Sequence, residues 1–175
     1  IQIIQALGGT VPAFAHHSLL TGPQGEALSK RLGALSIKDL RAQGVEPWAL
    51  LSLMARLGSA DPVELQTSLE DLATGFDIAR FGAAPTKFDE KDLYPLTSSY
   101  LQGLDFADMA DEIAALGVPA DLAQQFWQVM RDNITTRADL APWWALCRDG
   151  AQPVIADEDR DFVAQAMALL PEGGF

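Results

Sequence analysis

Ala27-Leu28-Ser29-Lys30-Arg31, preceded by Gly22, Pro23 and Gly25, puts two cations and a hydroxyl on a glycine-rich turn. Arginine presents a planar fork of donors to phosphate oxygens, and lysine a compact charge on a flexible stem. A loop that carries both suits the triphosphate of a nucleotide. The competing reading is a solvated basic turn, because so short a motif takes its meaning from its context.

The context is ordered on both sides. Upstream lie Pro12-Ala13-Phe14-Ala15-His16, Ser18-Leu19-Leu20 and Thr21-Gly22-Pro23-Gln24-Gly25. Downstream come Gly33, then Ser36-Ile37-Lys38-Asp39-Leu40-Arg41, Gly44, Pro47-Trp48-Ala49-Leu50-Leu51 and Leu57-Gly58. Leu28-Ser29-Lys30-Arg31 resembles the second signature of class I aminoacyl-tRNA synthetases, Lys-Met-Ser-Lys-Ser, in the Lys-Leu-Ser-Lys-Arg form of the glutamyl enzymes. The order of the flanking residues is similar to bacterial glutamyl-tRNA synthetases over residues 1–58. The likeness continues through Phe88-Asp89, Leu93, Leu96, Tyr100 and Leu101, and more thinly through Arg131 to Leu140.

Two departures from that pattern stand out. The family's first lysine is Ala27 here, so the contact that lysine makes is lost or replaced. The His-Ile-Gly-His signature of class I enzymes is absent, and the two histidines, His16 and His17, are adjacent. The run Ile1 to Leu7 begins without a capping residue, and Pro171-Glu172-Gly173-Gly174-Phe175 reads as a loop. These features lead to the expectation of the C-terminal portion of a synthetase, separated from most of its catalytic domain.

Composition narrows the alternatives. A chain of 175 residues with 49% hydrophobic content can bury a real core and is not read as disordered. No apolar run approaches the roughly 18 residues of a membrane span, and no secretory pattern is present. The single cysteine, Cys147, excludes an internal disulfide and a cysteine-rich zinc site. It reads as a small buried hydrophobe and fits a cytoplasmic location. His16 and His17 have no carboxylate or cysteine at ligand spacing, so no metal is assigned.

The net charge of −12 argues against a generic nucleic-acid binder. Its distribution is uneven. Residues 1–56 hold five basic groups against three acidic, and the rest hold seven against twenty-one. RNA contact on such a chain would follow a narrow basic path and weaken with salt. Most of the carboxylates then serve solubility.

Periodicity makes the chain mainly helical. Ser36 is placed to cap a helix over Ile37–Gln43 that Gly44 stops, and Pro47 to open one that Gly58 stops. A helix is expected at 63–73, with loop beyond it. Asp89 is placed to cap a helix reaching Leu101, with Pro95 either kinking or dividing it. Phe106, Met109, Ile113 and Leu116 form one helical stripe, ended by Gly117. Leu122, Phe126, Val129 and Met130 form another, opened by Pro119. Further helices are expected at 137–148 and from Asp157 to Leu170, with one short strand near Phe14–Leu19.

Trp48 and Trp127 read as core residues. Trp143 and Trp144 point about 100° apart on a helix, so one is expected to pack while the other borders a groove. Trp144 is a candidate for stacking on RNA bases or for packing on a neighbouring helix. Arg131 and Arg137 are candidates for tRNA contact, or for intrahelical pairs with Asp132 or Asp139.

The resemblance implies a helical bundle (the stem-contact and anticodon-proximal region) preceded by the tail of a Rossmann-like catalytic domain. It divides the chain into residues 1–35, with the loop, and a helical tRNA-binding region over 36–175, split near 105. The implied activity is glutamate–tRNA ligation with magnesium-bound ATP, glutamate and a glutamate-accepting tRNA as partners, in a cytoplasmic monomer. Leu28, Ser29, Lys30 and Arg31 would hold ATP, with Lys30 as the catalytic residue, and this portion would be inactive by itself. The alternative is a free-standing helical module, derived from a synthetase, that binds tRNA or protein and does not need Lys30.

Overall fold

In the computed structural model, the described residues are 1–26, 28, 36–151 and 154–169. Local signals set most helix boundaries among them. Helix α1 spans Gln2–Ala6 without a side-chain cap, and β1 spans Leu20–Thr21. Ser36 caps α2, Ile37–Ala42, and Pro47 occupies the first turn of α3, Pro47–Arg56. These two helices follow the boundaries that the capping residues predict.

Several elements differ from the sequence expectation. The strand lies at Leu20–Thr21 rather than Phe14–Leu19, and it pairs in parallel with an unforeseen β2, Thr86–Lys87. The pairing register is Leu20 with Thr86 and Thr21 with Lys87. Two residues are too few for a periodic signal, so the contact between distant segments creates the strand. The helix expected at 63–73 is shortened to α4, Leu69–Ala73. The fully buried Ser52 hydroxyl accepts from the Gln66 amide at 2.9 Å and donates to the Gln66 carbonyl at 3.2 Å. Those bonds occupy the backbone groups that a helix would need, and the chain becomes helical only after the Ser68 cap.

Asp89 caps a 3₁₀ turn, Glu90–Asp92, that runs directly into α5, Leu93–Gln102. Pro95 sits in the first turn of α5 and does not divide it, because an amide there lacks an intrahelical partner anyway. Helix α6 spans Phe106–Ala115 and α7 spans Ala120–Met130. The buried face of α7 is Ala123, Phe126 and Trp127, whereas Leu122 and Val129 are exposed. The expected stripe was therefore rotated by about one residue. A 3₁₀ turn at Arg137–Asp139 leads into α8, Leu140–Asp149, and another at Asp157–Asp159 into α9, Arg160–Ala168.

Two hydrophobic cores result among the described residues. The first gathers Leu40, Val45, Ala49, Leu53, Phe88 and Leu93. The second gathers Leu101, Met109, Ile113, Val118, Phe126, Trp127, Ile134 and Leu140, among others. Trp127 is buried, and its indole donates to the Leu104 carbonyl at 3.2 Å. Trp48, also expected in the core, is only half-buried. Helix α5 belongs to both cores, with Leu93 in one and Leu101 in the other.

Behind α3 the chain turns at Gly58, whose φ of +92° favours glycine. A Cβ there would lie 2.6 Å from the Ser18 hydroxyl and 2.9 Å from the Thr86 hydroxyl. Those two hydroxyls bond each other at 2.8 Å beside the β1–β2 pair. Gly75 has a similar φ of +77° but open space around it. Gly58→Ala is therefore expected to cost about 2–4 kcal/mol of unfolding free energy, against about 1 kcal/mol for Gly75→Ala, in urea titrations. Equal losses at the two positions would show that the close approach to Ser18 and Thr86 carries no weight.

Candidate functional site

The loop after β1 is fixed at its entry by its own backbone. The Gly22 amide donates to the Glu26 carbonyl at 2.8 Å, and the Gly25 amide to the Gly22 carbonyl at 2.9 Å. The Glu26 carboxylate accepts from the Gln24 amide at 3.0 Å. Ala27 and residues 29–35 lie outside the described residues, so this holds for Ser29, Lys30 and Arg31. Leu28 is described and exposed. It borders a depression of about 360 Å³, with Pro23 and Gln24 on its side and Phe88, Asp89, Glu90 and Lys91 opposite. Lys91 is exposed and has no ion pair among the described residues. The linear sequence does not reveal that it lies near the loop, because the approach depends on the β1–β2 pairing.

The exit of the loop is fixed by the capping box of α2. The Ser36 hydroxyl accepts from the Asp39 amide at 3.1 Å, and the Asp39 carboxylate accepts from the Ser36 amide at 3.0 Å and its hydroxyl at 2.6 Å. The hydroxyl, then the amide, lowers the Asp39 pKa from its ordinary 3.8.

The basic residues singled out farther along the chain have separate surroundings. Arg131 ends α7 and pairs with Asp132 at 3.8 Å, and its buried Nε has no hydrogen-bond partner. Trp144 is half-buried and meets Phe126 edge-on, at a ring separation of 5.7 Å and an angle of 78°. Trp143 and Trp144 both pack against the second core. Cys147, expected to be buried, is exposed, because the buried side of α8 is set by Leu140 and the tryptophans.

Arg137 does not pair with Asp139. The Asp139 carboxylate instead accepts from the amides of Thr135 and Thr136, both at 2.8 Å. The Arg137 Nε donates to Glu46 at 2.6 Å, across 91 positions of sequence. One terminal nitrogen donates to Glu112 at 2.8 Å and approaches the Met109 sulfur at 3.1 Å. Burial by itself would lower the Arg137 pKa, but the bonds to Glu46 and Glu112 outweigh it and raise it. Glu46, Arg137 and Arg41 also border a cleft of about 440 Å³ whose walls are Ile37, Leu40, Val45, Pro47, Leu50 and Leu51. Among the described residues, no group of three His, Cys, Asp or Glu side chains could hold a metal ion, and no helix is long and apolar enough to cross a membrane.

A glycine-rich turn over 22–26 and the capped start of α2 at Ser36 flank the Leu-Ser-Lys-Arg stretch in the chain. The family model of class I tRNA synthetases (E and Q), catalytic domain, matches residues 1–95, and the chain belongs to that family. It is 71% identical over all 175 residues to glutamate–tRNA ligase 1 of Roseobacter denitrificans, of which it covers 40%. It is 69% identical over 173 residues to glutamate–tRNA ligase 1 of Ruegeria pomeroyi, covering 39% of that protein. The chain thus spans about 40% of the length of the curated relatives it matches.

In fold it is similar to a crystal structure of a glutamate tRNA ligase from Elizabethkingia meningosepticum in complex with its amino acid. The TM-score is 0.69 at 23% identity, over 98% of this chain and 38% of the other. A glutamate–tRNA synthetase structure from Elizabethkingia anophelis gives a TM-score of 0.70 at 21% identity, over 97% of this chain and 41% of that one.

The α2 cap also gives a pH prediction. A lowered carboxylate pKa means that the cap has its full strength above the ordinary Asp range and loses it as pH falls through the lowered value. The Asp39 carboxylate should titrate below 3.8 by NMR, and Ser36→Ala should bring its midpoint part of the way back up. A midpoint that does not move in that variant would rule out the hydroxyl as the cause.

Proposed function

We propose that this chain is a portion of a glutamate–tRNA ligase and that it supplies the ATP-phosphate loop and a helical scaffold for tRNA. The observation that carries this reading is 71% identity over the whole chain to a protein named for that activity, and Leu28-Ser29-Lys30-Arg31 resembles the family's loop signature.

In this reading residues 1–35 close the catalytic domain, and residues 36–175 form the tRNA-binding region, with a division near 105. The work takes place in the cytoplasm, and the protein acts as a monomer. A glutamate carboxylate oxygen attacks the α-phosphorus of magnesium-bound ATP, and the bond from that phosphorus to the pyrophosphate oxygen breaks. A hydroxyl at the tRNA 3′ end then attacks the glutamyl carbonyl, and AMP leaves.

Negative charge accumulates on the phosphate oxygens in the first step. Lys30 is assigned to stabilise it, with Arg31, Ser29 and the backbone at Leu28 completing the grip. Donors already aimed at developing charge are effective because they need no reorganisation as the reaction proceeds. Loops of this kind commonly close over the nucleotide. With a net charge of −12, the chain would accept a tRNA backbone only along its basic residues. Arg131 and Trp144 are the candidates for direct tRNA contact; Arg137, also singled out by sequence, is already paired with two carboxylates.

The test is ATP–pyrophosphate exchange by the full-length protein that carries this chain, with glutamate and tRNA present. Lys30→Ala is expected to slow exchange by about 10²–10³-fold, the usual effect of losing one preorganised donor. The 175-residue chain by itself should show no exchange. Unaltered exchange in Lys30→Ala, or exchange by the isolated chain, would overturn the assignment and favour a module that does not depend on the loop.

A further inference from the structure

We infer that Arg137 is a positioning residue, which clamps Glu46 and Glu112 to hold the loop-bearing core and the distal core in one orientation. This inference rests on the reading of the chain as part of a glutamate–tRNA ligase and deepens it. The two cores share a single helix, α5, with Leu93 committed to the first and Leu101 to the second. The shared helix ties the two cores together, and contacts beside it add a second constraint on their relative orientation.

Those contacts lie along one seam. A Cβ on Gly44 would be 3.0 Å from the Thr136 Cβ, so backbone and side chain already touch there. The Glu46 amide donates to the buried Thr97 hydroxyl of α5 at 3.3 Å. The Ser98 hydroxyl, one residue on, donates to the Ile134 carbonyl at 2.9 Å. Arg137 is the charged member of the seam and reaches both sides of it. Its fork joins Glu46, which enters α3 in the first core, to Glu112, on α6 in the second.

The clamp is spent on the seam and not on its own turn. Asp139 and the Thr135 and Thr136 amides hold that turn without help from the Arg137 side chain. Glu46 is likewise the N-cap residue of α3, yet its carboxylate makes no cap bond and goes to Arg137 instead. Both groups therefore leave local duties to other residues. The Glu46 side chain is 11% exposed and that of Arg137 32%, so water screens the pair far less than it screens an open surface pair.

For a ligase, the orientation of the cores decides where a tRNA held on the distal helices delivers its 3′ end relative to the loop after β1. Removing the clamp should therefore weaken productive use of tRNA while leaving ATP handling alone. In the full-length protein, Arg137→Met is expected to raise the KM for glutamate tRNA about tenfold, with the KM for ATP within about twofold, as for residues that act through geometry without touching ligand. Arg137→Lys keeps the charge but can serve one carboxylate well and not two, so its tRNA KM should fall between those of wild type and Arg137→Met.

Spin labels at Met54 and Leu122, with Cys147 replaced by Ser, give a second readout. One narrow distance distribution is expected in the parent, and a broadened one in Arg137→Met. A folded Arg137→Met protein with unchanged tRNA KM would overturn the inference, as would a parallel rise in both KM values. If Arg137→Met does not fold, the Arg137→Lys constants decide in the same way. A parent protein without glutamylation would sink the ligase reading, and the distance distributions would still test the clamp.

Discussion

Ten residues of α5 have to satisfy two cores at once. Leu93 and Leu96 face the α2–α3 side, while Tyr100 and Leu101 face α6, α7 and the segment around Ile134. Thr97, fully buried between them, spends its hydroxyl on the amide that enters α3. Both cores meet on this helix. The β1–β2 pair brings Phe88, and with it the start of α5, back to the loop; the 131–139 segment closes against the far end. A helix used from both ends transmits the position of one core to the other, because packed interiors resist small displacements.

The charged seam beside α5 completes that arrangement. Arg137 with two carboxylates is a motif whose value depends on what surrounds it. Placed in the open it would contribute little, since exposed pairs gain small Coulomb energies and lose side-chain freedom. Here Glu46 is nearly covered, the guanidinium is half-covered, and a sulfur from the second core is its third neighbour. Breaking such a group leaves a buried carboxylate uncompensated. The pair therefore selects one packing of the cores more than it adds to the total stability.

Along the chain, the Leu-Ser-Lys-Arg stretch and the seam lie on opposite sides of α2. The capping box of Ser36 and Asp39 starts that helix just beyond the loop, and Gly44 closes on Thr136 just beyond its other end. Six helical residues thus separate a segment assigned to ATP from a junction assigned to tRNA placement. A short, well-capped helix is a stiff connector, and its single fully covered side chain, Leu40, ties it to the first core.

Sequence alone determined the features governed by neighbours along the chain. Ser36, Pro47, Gly117 and Pro119 announce their helix ends because capping and φ preferences act over three or four residues. The likeness of Leu28-Ser29-Lys30-Arg31 and its flanks to a synthetase signature is also legible in residue order, and the family match over residues 1–95 agrees with it at the level of the family. Only tertiary structure decided the rest. Gln66 was drawn from a helix by a buried serine, and a two-residue strand appeared because its partner lies 66 positions away. Cys147 was left on the surface when the tryptophans took the buried side of α8. Arg137 pairs with Glu46 and Glu112, while nearby Asp139 accepts from the Thr135 and Thr136 amides. Competition for a hydrogen-bond partner is settled by three-dimensional proximity, and spacing along the chain does not encode it.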